Sequence, residues 1–229
     1  MNAKISTFFK EWRGFFLFVA IMLVFRSAIA DWNHVPSGSM KPSILEGDRI
    51  IVDKLAYDLR VPFTLKRLAR FHEPERGDIV TFPSPPPDER LFIKRVVGLP
   101  GDVVELRHNR LFINGEAATY TPLSEEDVDV IDLENKDRYQ FLYEEILGNR
   151  RVIMLLNNAS FLEYASFEAI EVPEDNYLML GDNRDHSGDY RRISWIGRER
   201  ILGRAHGIAF SWNFMELEAP RNRFFEELK

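Results

Sequence analysis

The sequence predicts a mainly β protein, arranged as an antiparallel β-barrel or sandwich. Two observations favour this fold class: short apolar segments recur along the chain, and tight turns separate them. Gly47-Asp48, Gly77-Asp78, Gly101-Asp102 and Asn114-Gly115 mark such turns. Short strands joined by glycine turns are typical of all-β barrels and sandwiches.

The predicted strands follow one another between residues 44 and 180. They lie in segments 44–57, 76–82, 91–97, 103–106, 110–113, 151–156 and 177–180. A proline-rich segment at 83–88 predicts a stiff loop. The acidic segment 121–140 predicts a surface insertion that is partly helical, and residues 221–225 predict an exposed tail.

Composition narrows the class of protein. The chain has 229 residues with 45% hydrophobic and 29% charged side chains, which is ordinary for a folded protein with a sizeable core. A net charge of −6 argues against a nucleic-acid-binding protein. The absence of cysteine excludes disulfides, cysteine nucleophiles and thiolate metal sites.

The N-terminus carries a targeting signal that allows two interpretations. Basic residues precede a 12-residue apolar run at 14–25, and Ala28-Ile29-Ala30 follows it. This pattern is that of a cleaved secretory signal peptide. The alternative is an uncleaved anchor over 12–32, bracketed by Trp12 and Trp32 at the membrane interfaces. Both interpretations export the chain that follows residue 30.

Lys94 lies inside a predicted apolar strand. Residues two apart share a face of a strand, so Lys94 shares its face with Phe92 and Val96. If that face is the inner one, burial lowers the pKa of the amine and makes it a general base at neutral pH. The alternative is a lysine on an edge strand that reaches solvent.

Ser39 follows the apolar N-terminal region in the segment Pro36-Ser37-Gly38-Ser39-Met40. Proline and glycine favour a tight, irregular loop that exposes a hydroxyl and backbone N–H groups. Those N–H groups, with the Ser37 hydroxyl, could stabilise a developing oxyanion. The alternative is an ordinary Ser/Gly turn.

The segment 181–191 is dense in polar side chains between apolar neighbours. It allows three interpretations: a hydrogen-bonded scaffold for catalytic groups, a calcium loop built on Asp182, Asp185 and Asp189, or part of a Ser-His-Asp triad that uses His186. The carboxylate spacing does not match an EF-hand loop, and the histidines lack the pairing typical of zinc sites. The calcium interpretation would make the chain an anchored β-barrel that binds a ligand instead of an enzyme.

Together these segments resemble bacterial type I signal peptidases, also called leader peptidases. The matching phrases occur in the family's order: Pro36-Ser37-Gly38-Ser39-Met40-Lys41-Pro42-Ser43, Gly47-Asp48, Arg76-Gly77-Asp78-Ile79-Val80, residues 92–102 and residues 181–189.

The resemblance implies roles for individual residues. Ser39 would be the acylating nucleophile and Lys94 the neutral general base, a Ser-Lys variant of the catalytic triad. The Ser39 backbone N–H and the Ser37 hydroxyl would form the oxyanion hole, and Ser187 would orient the lysine. Structural ion pairs would join Asp182 to Arg95 and Asp189 to Arg191.

The resemblance also implies the substrate and its pockets. The family cleaves exported preproteins that carry small residues at the −3 and −1 positions, as in Ala-x-Ala. By position, the residues expected to line the two small pockets are Val35, Pro36, Met40, Ile44, Phe92 and Ile93. No cofactor, metal or nucleic acid is expected, and the chain is expected to be a monomer.

The resemblance favours the anchor over the cleaved peptide. We then expect a single-pass protein of the bacterial inner membrane, with its catalytic domain on the outer face of the lipid bilayer. The implied domains are a cytoplasmic N-terminus at 1–11, an anchor at 12–32, a catalytic β-domain at 33–103 and 175–215, an inserted smaller β-domain at 104–174, and a tail at 216–229.

Three residues depart from the family's usual pattern. Lys41 stands where an apolar residue is common, His186 where asparagine is frequent, and Tyr190 where a small residue is frequent. None of them removes a catalytic group, and each is expected to alter substrate preference.

Overall fold

A computed structural model of the protein describes residues 2–64, 66–87, 90–157, 163–212 and 221–228. Its α-helices are α1 (Asn2–Ala28), α2 (Glu125–Asp129) and α3 (Tyr190–Ile193). Short 3-10 helices cover Gly38–Met40, Lys136–Arg138, Glu163–Ala165, Arg184–His186 and Arg198–Arg200. The strands are β1 (Ala30–His34), β2 (Asp48–Asp53), β3 (Asp58–Arg60), β4 (Arg67–Arg70), β5 (Ile79–Pro83), β6 (Leu91–Gly98), β7 (Val103–Arg107), β8 (Arg110–Ile113), β9 (Glu116–Ala117), β10 (Thr119–Pro122), β11 (Tyr139–Ile146), β12 (Asn149–Leu156), β13 (Phe167–Glu171), β14 (Asn176–Leu180), β15 (Ile196–Gly197), β16 (Gly203–Ser211) and β17 (Glu226–Glu227).

The main sheet is antiparallel and has the strand order β1-β2-β16-β5-β6-β14-β15, with β17 paired to β16. The predicted mainly β, antiparallel class is therefore confirmed. Among the described residues, β1 and β15 end the sheet without pairing to each other, so the sheet does not close into the barrel that the turn rhythm suggested.

Strand β6 lies in the interior of this sheet. It pairs with β5, where Lys94 faces Val80, and with β14, where Arg95 faces Leu180. β6 is hydrogen-bonded on both edges, and its residues 93–98 are buried on both faces of the sheet, which explains the apolar sequence of this strand. The edge-strand alternative for Lys94 is therefore wrong, because only 3% of the residue is exposed.

Segment 104–174, with Val103 at the start of β7, supplies two of the three smaller sheets that the described residues form, with strand orders β10-β11-β12 and β13-β7-β8-β9, and β3 pairs with β4 in the third. The predicted Asn114-Gly115 hairpin is confirmed, since both residues have positive φ, at 53° and 81°, and join β8 to β9. One apolar cluster joins this region to the main sheet. Its members are Val97, Val104, Leu106, Leu111, Ile113, Ile146, Val172, Leu178 and Leu180.

A second apolar cluster lies beneath the segment that carries Ser39, and we call it the nucleophile-side cluster. It consists of Val35, Met40, Ile44, Ile50, Val52, Ile79, Ile93 and Ala205. Burial of each valine, isoleucine or methionine side chain stabilises the fold by about 1.5–3 kcal/mol. The cluster therefore anchors the nucleophile segment on the sheet.

Helix α1 occupies most of the predicted anchor. It ends at Ala28 and β1 begins at Ala30, so the last residues of the 12–32 segment belong to a strand. Several of its apolar side chains are exposed, among them Phe15, Leu17 and Phe18. Within the described part of the chain, no helix combines the length and hydropathy needed to cross a bilayer.

The C-terminus differs from the exposed tail predicted for 221–225. Residues 216–220 lie outside the described residues, but 221–228 pack along the main sheet, where β17 pairs with β16. Arg223 binds Asp48 and Leu228 contacts the nucleophile-side cluster. Phe224 and Phe225 are exposed, as predicted.

Candidate active site

The candidate nucleophile sits on one turn of 3-10 helix, Gly38–Met40, that follows β1. Met40 at its end is completely buried in the nucleophile-side cluster, which fixes the turn against the sheet. Only 7% of Ser39 is exposed. The serine therefore lies in a packed 3-10 turn that is almost completely buried.

Lys94 reaches Ser39 from the neighbouring strand. Its Nζ lies 2.7 Å from Ser39 Oγ and also donates to the Ile93 carbonyl oxygen at 2.8 Å. The amine lies 5.2 Å from the centre of the Phe92 ring, which agrees with the prediction that the two residues share a face of β6. Serine and lysine are therefore within the distance at which a proton can pass between them.

Burial lowers the pKa of Lys94 to about 8, because the charged ammonium loses its water. The carboxylates of Asp189 and Asp182 oppose this effect and hold the pKa above the value that burial alone would produce. A lysine with this pKa is neutral in a substantial fraction of molecules at mildly basic pH, as a general base requires.

Asp182 joins the three segments that surround Lys94. It accepts two hydrogen bonds from Arg95, at 2.9 and 2.8 Å, and a third from Ser43 Oγ at 2.6 Å. The pair is almost completely buried, at 3% and 1% exposure of the two side chains. This is the ion pair that the resemblance implied, and Ser43 is a partner that sequence analysis did not identify.

Asn183 holds the nucleophile turn from the opposite side. Its backbone N–H donates to the Ser39 carbonyl oxygen at 3.1 Å, and its side-chain amide donates to the Gly38 carbonyl oxygen at 2.9 Å. The neighbouring Gly181 must lack a side chain, since a Cβ there would collide with the Ser39 carbonyl oxygen and with Ser187. Neither Asn183 nor Gly181 was given an individual role from the sequence.

Asp189 forms the second implied ion pair. It accepts hydrogen bonds from Arg191 at 2.8 and 2.7 Å and from the Gly181 N–H at 3.1 Å. Burial raises the pKa of Asp189, but the Arg191 guanidinium outweighs burial and leaves the pKa below its ordinary value. The carboxylate therefore stays ionised and holds the loop that follows β14.

The structure does not assign a role to the hydroxyls of Ser187 and Ser37. Ser187 Oγ is buried and has no hydrogen-bond partner among the described residues, although it lies close enough to Asp189 to help lower the pKa of that carboxyl. Ser37 is exposed beside the nucleophile turn. The roles of these two hydroxyls stay predictions.

Of the six residues predicted to line the substrate pockets, four lie together in one cluster and two lie outside it. Val35, Met40, Ile44 and Ile93 belong to the nucleophile-side cluster, and the first three are 1% exposed or less. Phe92 is half-buried on the other face of β6, and Pro36 is exposed. Their role in substrate binding stays a prediction.

A buried cluster behind the 181–189 loop was not predicted. Glu144 on β11 is completely buried and receives hydrogen bonds from Arg184 at 2.6 and 2.7 Å, from Arg151 at 2.7 Å and from the Tyr120 hydroxyl at 2.7 Å. Burial alone would raise the pKa of Glu144, but Arg184 and Arg151 bring it far below its ordinary range. Segment 104–174 therefore supplies the anion that fixes Arg184.

The three carboxylates proposed for a calcium loop point to different partners. Asp182 binds Arg95 and Asp189 binds Arg191, whereas Asp185 accepts from the Asn109 amide at 2.8 Å. Among the described residues, no group of three or more acidic or histidine side chains is arranged to hold a metal ion.

Comparison with known proteins identifies the family of this chain. The family described as "Signal peptidase, peptidase S26" matches residues 9–210. This chain belongs to that family. It is 35% identical to "Signal peptidase I" of Pseudomonas fluorescens over 87% of this chain and 72% of that protein, and 32% identical to "Signal peptidase I" of Buchnera aphidicola over 96% and 81%.

Solved structures also match the chain. One of them is a crystal structure of a signal peptidase I from Enterococcus faecalis V583, with 29% identity and a TM-score of 0.35, and the match covers 58% of this chain and 97% of that one.

Sequence signals for the missed residues differ in strength. Asn183 lies inside the 181–191 segment that was already singled out as a scaffold. Glu144 shares a face of β11 with Leu142 and Ile146, and a carboxylate among apolar residues is a detectable sign of a buried ion pair. Ser43 carries no comparable signal.

Proposed function

We propose that this chain is a membrane-attached serine endopeptidase that removes signal peptides from exported preproteins. The observation that carries the proposal is the 2.7 Å contact between Lys94 Nζ and Ser39 Oγ, in a site where burial lowers the pKa of the lysine. Membership of the signal peptidase family supports the reaction class.

The neutral amine of Lys94 would take the proton of Ser39 as its oxygen attacks the scissile carbonyl carbon. The tetrahedral oxyanion would be stabilised by the Ser39 backbone N–H and the Ser37 hydroxyl. The Lys94 ammonium would then protonate the departing amine and leave an acyl-enzyme. A water molecule, activated by Lys94, would hydrolyse that ester and restore Ser39.

The surrounding residues would keep Lys94 Nζ within hydrogen-bond distance of Ser39 Oγ. Asp182 with Arg95 and Asp189 with Arg191 hold the strand and the loop on either side of Lys94. Ser187, whose Oγ is buried beside Gly181, would orient the amine once substrate excludes water.

Small residues before the cleavage site, as in Ala-x-Ala, would be selected because the apolar residues beside the nucleophile leave little room. Val35, Met40 and Ile44 are packed together, with Ile93 at their edge. Large side chains would have to displace this cluster, which is costly in a close-packed interior.

Membrane attachment rests on α1. Its run of exposed apolar side chains, including Phe15, Leu17, Phe18 and Ile21, has a favourable environment in lipid. We place the attached chain at the bacterial inner membrane, with the site on the outer face where signal peptides emerge.

The direct test uses detergent-solubilised full chain and a peptide with an Ala-x-Ala site. Wild type is expected to cleave after the second alanine, and both Ser39→Ala and Lys94→Ala to lose cleavage while melting no more than a few degrees below wild type. Lys66→Ala, at an exposed lysine, is the matched control and keeps full activity. Full activity in Ser39→Ala would refute the proposal.

A further inference from the structure

The last residues of the chain bind the segment that carries the nucleophile. We call residues 221–228 the C-terminal strap and residues 43–48 the post-nucleophile turn. The strap pairs with β16, where Glu227 faces Gly207, and the Leu228 N–H donates to the His206 carbonyl oxygen at 3.1 Å. The strap is therefore fixed to the sheet through its backbone, and its side chains contact the post-nucleophile turn.

Arg223 is the strap's principal contact with the turn. Its guanidinium donates to Asp48 Oδ2 at 2.7 Å and to the Ser43 carbonyl oxygen at 2.8 Å, so a single side chain joins both ends of the turn. Only 13% of this side chain is exposed. Asp48 Oδ2 also accepts the Leu45 N–H at 2.8 Å, which closes the turn from inside.

The carboxylate of Asp48 is completely buried. Burial raises its pKa, and Arg223 is the strongest of the groups that oppose this rise. A buried carboxylate is costly unless a cation and hydrogen bonds compensate it. Arg223, with a smaller contribution from Arg221, thus compensates the burial of the Asp48 carboxylate that closes the turn.

The strap makes two further contacts with the nucleophile segment. Arg221 donates to the Glu46 carbonyl oxygen at 2.6 Å, in the middle of the turn. Leu228 packs against the nucleophile-side cluster, which contains Met40 next to Ser39. Polar and apolar contacts therefore restrain the same segment from the same side.

Ser43 connects this restraint to the general base. Its carbonyl oxygen accepts from Arg223, and its hydroxyl donates to Asp182 Oδ2 at 2.6 Å. Asp182 binds Arg95, the residue after Lys94 in β6. A continuous path of hydrogen bonds thus runs from the C-terminal strap to the strand that carries the lysine.

We propose that Arg223 is a positioning residue for the reaction assigned above. It acts through Ser43 to keep Lys94 Nζ within hydrogen-bond distance of Ser39 Oγ. The inference rests on the proposed function, because it concerns the rate of that reaction. Small errors in the position of a nucleophile relative to its base lower the rate steeply.

The test separates stability from positioning with two variants. Arg223→Met leaves the buried Asp48 carboxylate without its cation, so a large fall in melting temperature is expected. Asp48→Asn/Arg223→Met removes that charge and is expected to recover most of the lost melting temperature. Because Ser43 still lacks its donor, kcat of the double variant should stay about tenfold or more below wild type with KM nearly unchanged.

Asn222→Ala, at the exposed neighbour in the strap, is the matched control and keeps wild-type kcat. Arg223→Lys, which retains one cationic donor, is expected to fall between wild type and the double variant. Wild-type kcat in a folded double variant would overturn the positioning role while the proposed function stands. An inactive wild type would overturn the proposed function, and this inference with it.

Discussion

At the scale of single residues, the protonation state of Lys94 connects stability to activity. Burial lowers the pKa of this lysine from an ordinary value near 10.5 to about 8. Below pH 8 the folded protein must therefore bury a charged ammonium, which the unfolded chain keeps in water. The burial that makes the amine a base at neutral pH therefore also lowers the free energy of unfolding.

Lys94→Met is accordingly expected to stabilise the protein at pH 7. Between pH 8 and 10.5 the unfolded state holds more protons than the folded state, so the stability of wild type rises with pH across that window. The shift corresponds to roughly 3 kcal/mol, an upper bound on the gain because Met also loses the contact with Ser39.

Urea unfolding of wild type and Lys94→Met between pH 6 and pH 10 measures this effect. The two curves should converge as pH rises, whereas Lys66→Met at an exposed position should run parallel to wild type. Parallel curves for Lys94→Met would mean that the lysine is not desolvated in the folded state.

At the scale of elements, the loop after β14 controls the nucleophile turn. Asn183→Ala removes the side-chain donor of the Gly38 carbonyl oxygen but keeps the backbone bond to Ser39. The Gly38 carbonyl oxygen still accepts the Lys41 N–H at 3.1 Å, so the variant loses one hydrogen bond, which is worth about 0.5–1.5 kcal/mol. We expect kcat to fall about tenfold, equivalent to about 1.4 kcal/mol in the barrier, with little change in KM.

Steady-state kinetics of Asn183→Ala and Asn176→Ala provide the comparison. Asn176 donates its amide to the Glu174 carbonyl oxygen in a loop away from Ser39, so the same substitution there should leave kcat unchanged. Equal kcat in the two variants would show that the loop does not position the nucleophile.

Elements specified by local chemistry could be predicted from the sequence. The alternation of β6 places Lys94 on the face of Phe92, and the positive φ of Asn114 and Gly115 explains the hairpin that their types predicted. Both properties depend on neighbouring residues along the chain, which the sequence displays directly.

Elements stabilised by distant partners could not be predicted in this way. The charged β17 has little strand propensity of its own and pairs with β16, while Arg223 and Leu228 on either side of it bind Asp48 and the nucleophile-side cluster. The position of Lys94 on an interior strand likewise depends on β5 and β14, which are far from each other in the chain.

At the scale of the whole molecule, segment 104–174 and the main sheet share the ion cluster around Glu144. The carboxylate binds Arg184 in the active-site loop and Arg151 in β12, all three almost completely buried. Removing one partner of a buried ion pair costs about 3–5 kcal/mol, because the charges that remain are uncompensated.

Glu144→Gln should therefore lower the free energy of unfolding by several kcal/mol and reduce cleavage at temperatures near the new melting point. Thermal and urea unfolding measure the loss. Glu145→Gln, one residue on at an exposed position of β11, should change stability by less than about 0.5 kcal/mol. A Glu144→Gln variant as stable as Glu145→Gln would contradict the coupling between the two regions.

The Ser39–Lys94 dyad is tested most directly by the pH dependence of kcat/KM for an Ala-x-Ala peptide, measured from pH 6 to pH 10 alongside Lys94→Ala. The neutral amine is the active form, so cleavage by wild type should rise with pH, reach half of its maximum near pH 8 and then level off. Lys94→Ala should show no cleavage at any of these pH values. A rate that is independent of pH in wild type, or cleavage that persists in Lys94→Ala, would contradict the assignment of Lys94 as the general base.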